Sequence, residues 1–266
     1  MNLDLSGKTA LITASTAGIG FAIAKALADS GALVIVNGRS AASVARAMEK
    51  LSDALPNVEI HGAAADLGDA AGVQRLIEAV SGQNIDILIN NAGIFGQKDF
   101  FETGDDMWEQ YWQTNVMSGV RLSRYLMPSM AERGWGRVVF ISSESARNIP
   151  ADMIHYGMSK TAQLALSRGL AKRVAGSGVT VNSVLPGPTI SDGFADMMKD
   201  EVARTGKSLE QVAREFVLAH RPSSVIQRAA TVEEVANLVV YVCSQQASAT
   251  SGAALRVDGG VIDDIV

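Results

Sequence analysis

Thr9-Ala10-Leu11-Ile12-Thr13-Ala14-Ser15-Thr16-Ala17-Gly18-Ile19-Gly20 is the stretch that decides how this chain folds. A short apolar run passes into small residues and glycines, and a helical pattern over residues 19–30 follows and stops at Gly31. That reads as strand, tight turn and helix. Glycines at such a turn let the backbone approach a ligand closely, and the free N–H groups of the helix N-terminus attract a pyrophosphate. A pair of glycines alone says little. Its place after a first strand and before a helix makes it a candidate phosphate turn.

The same alternation continues to the end of the chain. Val34-Ile35-Val36 precedes an alanine-rich helix over residues 41–55, closed by Pro56, and Val58-Glu59-Ile60 precedes another over residues 69–81. Ile85-Asp86-Ile87-Leu88-Ile89 leads into Asn90-Asn91-Ala92-Gly93. A long helical stretch over residues 107–133 is followed by Arg137-Val138-Val139-Phe140-Ile141 and by a helix around Tyr156. Val179-Thr180-Val181-Asn182-Ser183-Val184 runs to Pro186-Gly187-Pro188, and Ala253-Ala254-Leu255-Arg256-Val257 is the last run. These seven runs joined by helices predict an α/β, single-domain Rossmann fold. Its doubly wound parallel sheet of about seven strands has helices on both faces and right-handed crossovers. Residues 1–266 contain no linker, biased tract or repeat, which predicts one domain. Residues 190–227 break the rhythm, have no evident strand partner, and carry Phe194, Met197, Met198 and Phe216. An insertion of that size after a strand is expected to cover a site.

Composition narrows the classes. Apolar residues make up 47% and aromatic residues 5%, which suits buried parallel strands rather than an aromatic nucleic-acid platform. The formal charge is −5 and no long basic tract occurs, so no nucleic-acid partner is expected. No apolar run approaches ~18 residues. Asp4 and Lys8 stand where a leader would be hydrophobic, so the expectation is a cytoplasmic protein without a membrane partner. Cys243 is the only cysteine and reads as a structural thiol on a buried helix face. His61, His155 and His220 show no ligand spacing, and no metal site is expected.

The chemistry concentrates around Tyr156 and Lys160, which stand one helical turn apart on one face. An ammonium beside a phenol favours the phenolate and lowers a pKa that is otherwise about 10. Ser143 lies upstream, after the Arg137–Ile141 run. Val36-Asn37-Gly38-Arg39-Ser40 ends the second run without the acidic residue that would hold ribose hydroxyls in an NAD enzyme. Gly38 leaves room and Arg39 offers a fork of donors suited to a 2′-phosphate, with Ser15 and Ser40 as helpers. NADP(H) is therefore expected over NAD(H).

Together these pieces resemble the short-chain dehydrogenase/reductase family of the Tyr-x-x-x-Lys type, from the turn to Val257-Asp258-Gly259-Gly260. The turn is similar to the family's Thr-Gly-x-x-x-Gly-Ile-Gly, with Ala14 where that family usually has glycine. At negative φ this alanine is harmless; at positive φ it costs about 1 kcal/mol. The resemblance implies a cofactor held by Thr13, Ser15, Gly18, Ile19 and Gly20 at the turn, by Asp66 and Leu67 at the adenine, and by Asn91 and Gly93 at the adenosine ribose. Pro186, Gly187 and Thr189 would border the nicotinamide, with Tyr156 and Lys160 touching its ribose. Asp66 has a second reading, as a cap for the helix near Asp69.

The resemblance also assigns a catalytic set of Asn115, Ser143, Tyr156 and Lys160. Ser143 precedes Tyr156 by the separation the family shows, and Tyr156 would exchange the proton of a carbonyl or secondary alcohol. Ser143 would steady the same oxygen, Lys160 would lower the phenol's pKa, and Asn115 would anchor a proton-relaying water. Adjacent strand-end residues point opposite ways, which favours Ser143 over Ser142. His155 is a helix-start residue turned away from Tyr156, and Glu144 either meets a polar or cationic substrate or is a solvated loop carboxylate. The expected partner is a small carbonyl or alcohol substrate, and the expected assembly a homo-oligomer, a tetramer or dimer. Enoyl reduction or elimination on the same fold, and a non-catalytic NADP-binding sensor or scaffold, are the alternatives.

Overall fold

The computed structural model describes residues 3–265. Seven parallel strands form one sheet: β1 (Thr9–Ile12), β2 (Leu33–Gly38), β3 (Ile60–Ala64), β4 (Ile87–Asn90), β5 (Gly136–Ile141), β6 (Val179–Pro186) and, last in the chain, β9 (Ala254–Val257). Their order is β3-β2-β1-β4-β5-β6-β9, so the winding reverses between β1 and β4 and opens a crevice at the carboxyl ends of the strands.

Alternate residues of each strand serve two cores. Ala10, Ile12, Val34, Val36, Ile87, Ile89, Val139 and Ile141 face one side. There they meet α1 (Gly18–Asp29), α2 (Ala41–Ala54) and α9 (Val232–Cys243). Leu11, Ile35, Leu88, Val138 and Phe140 face the other side. They pack with α3 (Ala70–Ala79), α5 (Ser118–Glu132) and α6 (Ile154–Arg173). Burial on both faces is why these strands read as unbroken apolar runs. Cys243 is fully buried in the first core, where desolvation pushes its thiol up to about 12. Among the described residues no helix is long and apolar enough to cross a membrane.

The local signals for helix starts are used as expected of polar caps. Ser40 accepts from Ser43 N at the start of α2, and Asp69 accepts from Gly72 N (2.7 Å) at α3. Thr231 and Glu234 form a reciprocal capping box at α9.

Three elements differ from the sequence reading. The third strand begins at Ile60 and runs through His61-Gly62-Ala63-Ala64, beyond the apolar Val58–Ile60 run. Pairing with β2, from Val34↔Ile60 to Gly38↔Ala64, sets it there. Small residues are needed because α2 lies close: a Cβ at Gly62 would sit 2.4 Å from Val44 Cγ1 and 2.5 Å from Met48 Sδ. The long helical stretch is also interrupted. α4 (Asp105–Tyr111) passes through a wider π-type turn (Trp112–Met117) before α5 begins. Lastly, the segment after β6 has a strand partner: β7 (Thr189–Ile190) pairs in parallel with β8 (Ala230–Thr231). Between them lie α7 (Asp192–Thr205) and α8 (Leu209–His220), packed on a small core of Phe194, Ala213, Val217 and Ala229.

The turn between β1 and α1 carries backbone strain. Ala14 has φ +48°, in the left-handed region that disfavours a Cβ. Hydrogen bonds hold it there: Ala14 N donates to Asn37 Oδ1 (3.1 Å), and Asn91 Nδ2 donates to Ala14 O (3.0 Å). Ala14→Gly should therefore relieve about 1 kcal/mol of strain, less what the more flexible unfolded chain gives back. We expect a melting temperature raised by about 1–3 °C. A lowered melting temperature in differential scanning calorimetry would contradict the strain.

Candidate active site

Strand ends and helix starts converge on one cavity of about 350 Å³ at the carboxyl edge of the sheet. It brings together Gly18, Ile19, Gly20, Asn91, Gly93, Ser143, Tyr156, Lys160, Pro186, Gly187 and Thr189 from the sequence reading. Phe194, Met197, Phe216, His220 and Arg221 line its far wall from the segment after β6.

Ser143 follows β5 and Tyr156 stands in the first turn of α6. The Ser143 hydroxyl neighbours the Tyr156 phenol and favours its ionised form, while Ser143 Oγ accepts from Ser145 N (3.1 Å). Ser142 points the other way and donates to Lys160 O (3.0 Å), so only Ser143 serves the phenol. His155 is buried against Tyr111, with ring centroids 4.3 Å apart, away from the reactive phenol.

Lys160 is 4% exposed, and its ammonium donates to Ile141 O (2.9 Å) and Gln163 Oε1 (3.4 Å). Burial without a counter-anion pulls it down to about 7. The expected depression of the phenol is absent: desolvation pushes Tyr156 up to about 12, against the opposing influence of the Ser143 hydroxyl. The geometry explains the difference. Lys160 Nζ lies 5.6 Å from the centre of the Tyr156 ring, aimed at the end of β5.

Asn115 sits in the π-type turn, buried, with both amide groups engaged. Its Nδ2 donates to Ile94 O (3.0 Å) and Ser159 Oγ (2.9 Å), and its Oδ1 accepts from Ile94 N (2.8 Å). Its carbonyl oxygen accepts from Gln163 Nε2 (2.5 Å). Lys160, Gln163 and Asn115 thus form a continuous row. Gln163 was missed in the sequence, although a polar residue one turn after Lys160 on a buried helix face was a usable signal.

At the glycine turn the structure separates framework from cleft. Thr13 is buried, and its Oγ1 accepts from Asn91 N (2.9 Å) and Ala92 N (2.9 Å). Ser15 is fully buried, with its hydroxyl donating to Ile12 O (2.7 Å) and accepting from Asn37 N (3.0 Å). That corrects its expected role: its side chain faces inward, joining β1 to β2, and is not offered to a ligand. Ser40 likewise caps α2. Close packing explains Gly20, where a Cβ would stand 2.5 Å from both Ala14 O and Asn91 Nδ2.

Arg39 is exposed just beyond β2 and does not line the cavity. Asp66 is exposed beyond β3; its Oδ1 accepts from Gly68 N (3.1 Å), while Asp69 is the cap of α3. Leu67 is buried in the second core. Thr189 is buried and donates to Gly187 O (2.9 Å).

Two further residues reach the site from the segment after β6. Asp192 Oδ2 accepts from Gly18 N (2.7 Å), placing a carboxylate at the start of α1. Arg221 Nε donates to Glu144 Oε1 (2.8 Å), and Glu144 is 3% exposed rather than a solvated loop carboxylate. Neither contact had a sequence signal, since the partners lie 174 and 77 positions apart.

Residues 8–202 match the family described as short chain dehydrogenase. The chain is 46% identical to the uncharacterized oxidoreductase YvrD of Bacillus subtilis (strain 168), covering 98% of this chain and 99% of that one. It is 31% identical to the D-beta-hydroxybutyrate dehydrogenase of Cupriavidus necator, over 96% of this chain and 98% of that one. Among solved structures, L-sorbose reductase from Gluconobacter frateurii, complexed with NADPH and L-sorbose, superposes with a TM-score of 0.92. That similarity spans 100% of both chains at 32% identity. The sheet order accords with these likenesses: the chain belongs to the short-chain dehydrogenase family of oxidoreductases.

Proposed function

We propose that the protein is an NADP-dependent reductase of carbonyl groups that also oxidises the corresponding secondary alcohols. The observation that carries this reading is the meeting of Ser143, Tyr156 and buried Lys160 in the cavity that the β1–α1 turn also lines. The NADPH bound to the similar L-sorbose reductase supports the cofactor class.

The residues present fit a dinucleotide. Asp192 Oδ2 stands in for a phosphate oxygen on Gly18 N, so the turn already holds an oxyanion. Arg39 would meet a 2′-phosphate at the end of β2, and exposed Asp66 would accept from the adenine amino group. Thr189 and Gly187 would border the nicotinamide ring. A bound nicotinamide supplies the hydride; the chain supplies position, protons and charge.

In reduction Tyr156 gives its proton to the carbonyl oxygen, and Ser143 donates to the same oxygen as negative charge builds there. With its phenol at about 12, Tyr156 is protonated and ready as an acid at neutral pH. Lys160, pulled down to about 7 by burial, links through Gln163 to Asn115. Charging Lys160 within the assembled site would favour the phenolate needed for alcohol oxidation.

Tyr156→Phe should reduce turnover of ketones at least about 100-fold while NADPH binding stays within about twofold. Retained turnover would remove Tyr156 from its role. Arg39→Ala should weaken NADPH about tenfold or more and leave NADH unchanged. Equal losses in fluorescence titrations would contradict the 2′-phosphate assignment. Asp192→Asn removes a negative charge from the helix start and should tighten NADPH about two- to fivefold. Weaker binding would mean that Asp192 helps to build the cofactor site rather than competing for it.

A further inference from the structure

Glu144 is a buried carboxylate with half its capacity unused. Oε1 accepts from Arg221 Nε (2.8 Å) and from Ser145 Oγ (3.1 Å). Oε2, buried like the rest of the side chain, has no hydrogen-bond partner. A buried acceptor left unmet is destabilising, and a donor that reaches it is favoured. The residue lines the active-site cavity next to Ser143, and its field is felt at the reactive phenol: its charge raises Tyr156, and Arg221 opposes it.

Among the described residues no side chain or backbone N–H donates to that oxygen. Met153, Phe194, Met197 and Phe216 are apolar, and Arg221 Nη1 is committed to His220 O (2.9 Å). Glu144 itself lines the cavity where a substrate would lie.

The charge around it selects the donor. A substrate cation would approach a carboxylate that Arg221 already neutralises, and would meet that guanidinium at close range. A substrate anion would be repelled by Glu144. A neutral hydroxyl satisfies Oε2 without disturbing the pair.

We infer that Glu144, held by Arg221, is the specificity-determining residue for a hydroxylated carbonyl substrate, whose hydroxyl one or two carbons from the reacting carbonyl donates to Glu144 Oε2. The inference rests on the carbonyl-reductase reading and deepens it by naming the substrate class. It also gives the segment after β6 a part in recognition, because Arg221 follows α8 and arrives with it.

Two matched pairs of ketones test this with NADPH: 1-hydroxy-2-butanone against 3-pentanone, and 4-hydroxy-2-butanone against 2-pentanone. Each pair exchanges a hydroxyl for a methyl of similar size. The wild-type protein should favour the hydroxyketone in at least one pair by about tenfold or more in kcat/KM, since a site built around a substrate hydroxyl discriminates strongly against analogues lacking it. In Glu144→Leu that ratio should fall toward one. Glu144→Gln, which keeps an acceptor for Arg221, should give an intermediate ratio and guards against loss of folding in the leucine variant.

The wild-type ratios alone can overturn the inference. If all four ketones turn over and neither pair shows a preference, the hydroxyl site is wrong while the reductase reading stands. A preference that survives unchanged in a folded Glu144→Leu protein also overturns it. No turnover of any ketone by the wild-type protein, with NADPH bound, would remove the reductase reading and this inference together.

Discussion

A lysine ammonium buried to 4% exposure needs partners, and the active-site end of this fold is organised around providing them. Lys160 reaches across from α6 to the last carbonyl of β5 at Ile141 and to Gln163 one turn further along its own helix. Gln163 in turn grips the Asn115 carbonyl, and the Asn115 side chain ties down Ile94 beyond β4. Two strand ends, the π-type turn and α6 are thereby fixed relative to one another. The partners are all neutral, which explains why Lys160 is pulled down to about 7 rather than held fully charged. A second charge entering this site shifts both Lys160 and Tyr156, so their ionisation belongs to the assembled site.

The segment after β6 is fastened at both ends of the cleft by charge. Near its start Asp192 occupies the N–H of Gly18, and beyond its second helix Arg221 pairs with Glu144. The small core around Phe194 and Val217 holds the two helices together as a unit. Phosphate binding would compete with the first contact, whereas a substrate hydroxyl would complete the second. The same segment can thus respond to both ligands through different residues. This is a consequence of chemistry: a carboxylate competes with phosphate for an N–H donor, but a carboxylate already paired with arginine still has an oxygen to offer a hydroxyl.

Much of the architecture was legible because it rests on local patterns. Runs such as Ile87-Leu88-Ile89 and Val138-Val139-Phe140 are apolar at every position because both faces of a parallel sheet are covered. Tyr156 and Lys160 were legible as a pair because helical spacing puts them on one face, whereas Ser143 joined them only through the family resemblance. The third strand was displaced because Gly62, Ala63 and Ala64 carry little strand preference of their own, and only pairing with β2 and the approach of α2 select them. Ser15 was misjudged because a hydroxyl's direction depends on its neighbours, here Ile12 O and Asn37 N. The contacts of Asp192 and Arg221 were invisible, since they depend on where two helices settle after the chain has folded back across the sheet. The direction of the Tyr156 shift was misread for a related reason: helical spacing places a lysine near a tyrosine but does not say which end of the ring its ammonium meets.

Direct hydride transfer from a nicotinamide to a carbonyl carbon, as proposed for the Ser143–Tyr156–Lys160 cavity, would leave a label in the product. The measurement that tests it most directly is the fate of label from NADPH deuterated at one or the other face of C4, incubated with the protein and 1-hydroxy-2-butanone. Deuterium from one of the two labelled forms should appear on the carbinol carbon of the product, and the other form should give unlabelled product. Product carrying no deuterium from either form, or label at a carbon other than the former carbonyl, would contradict it.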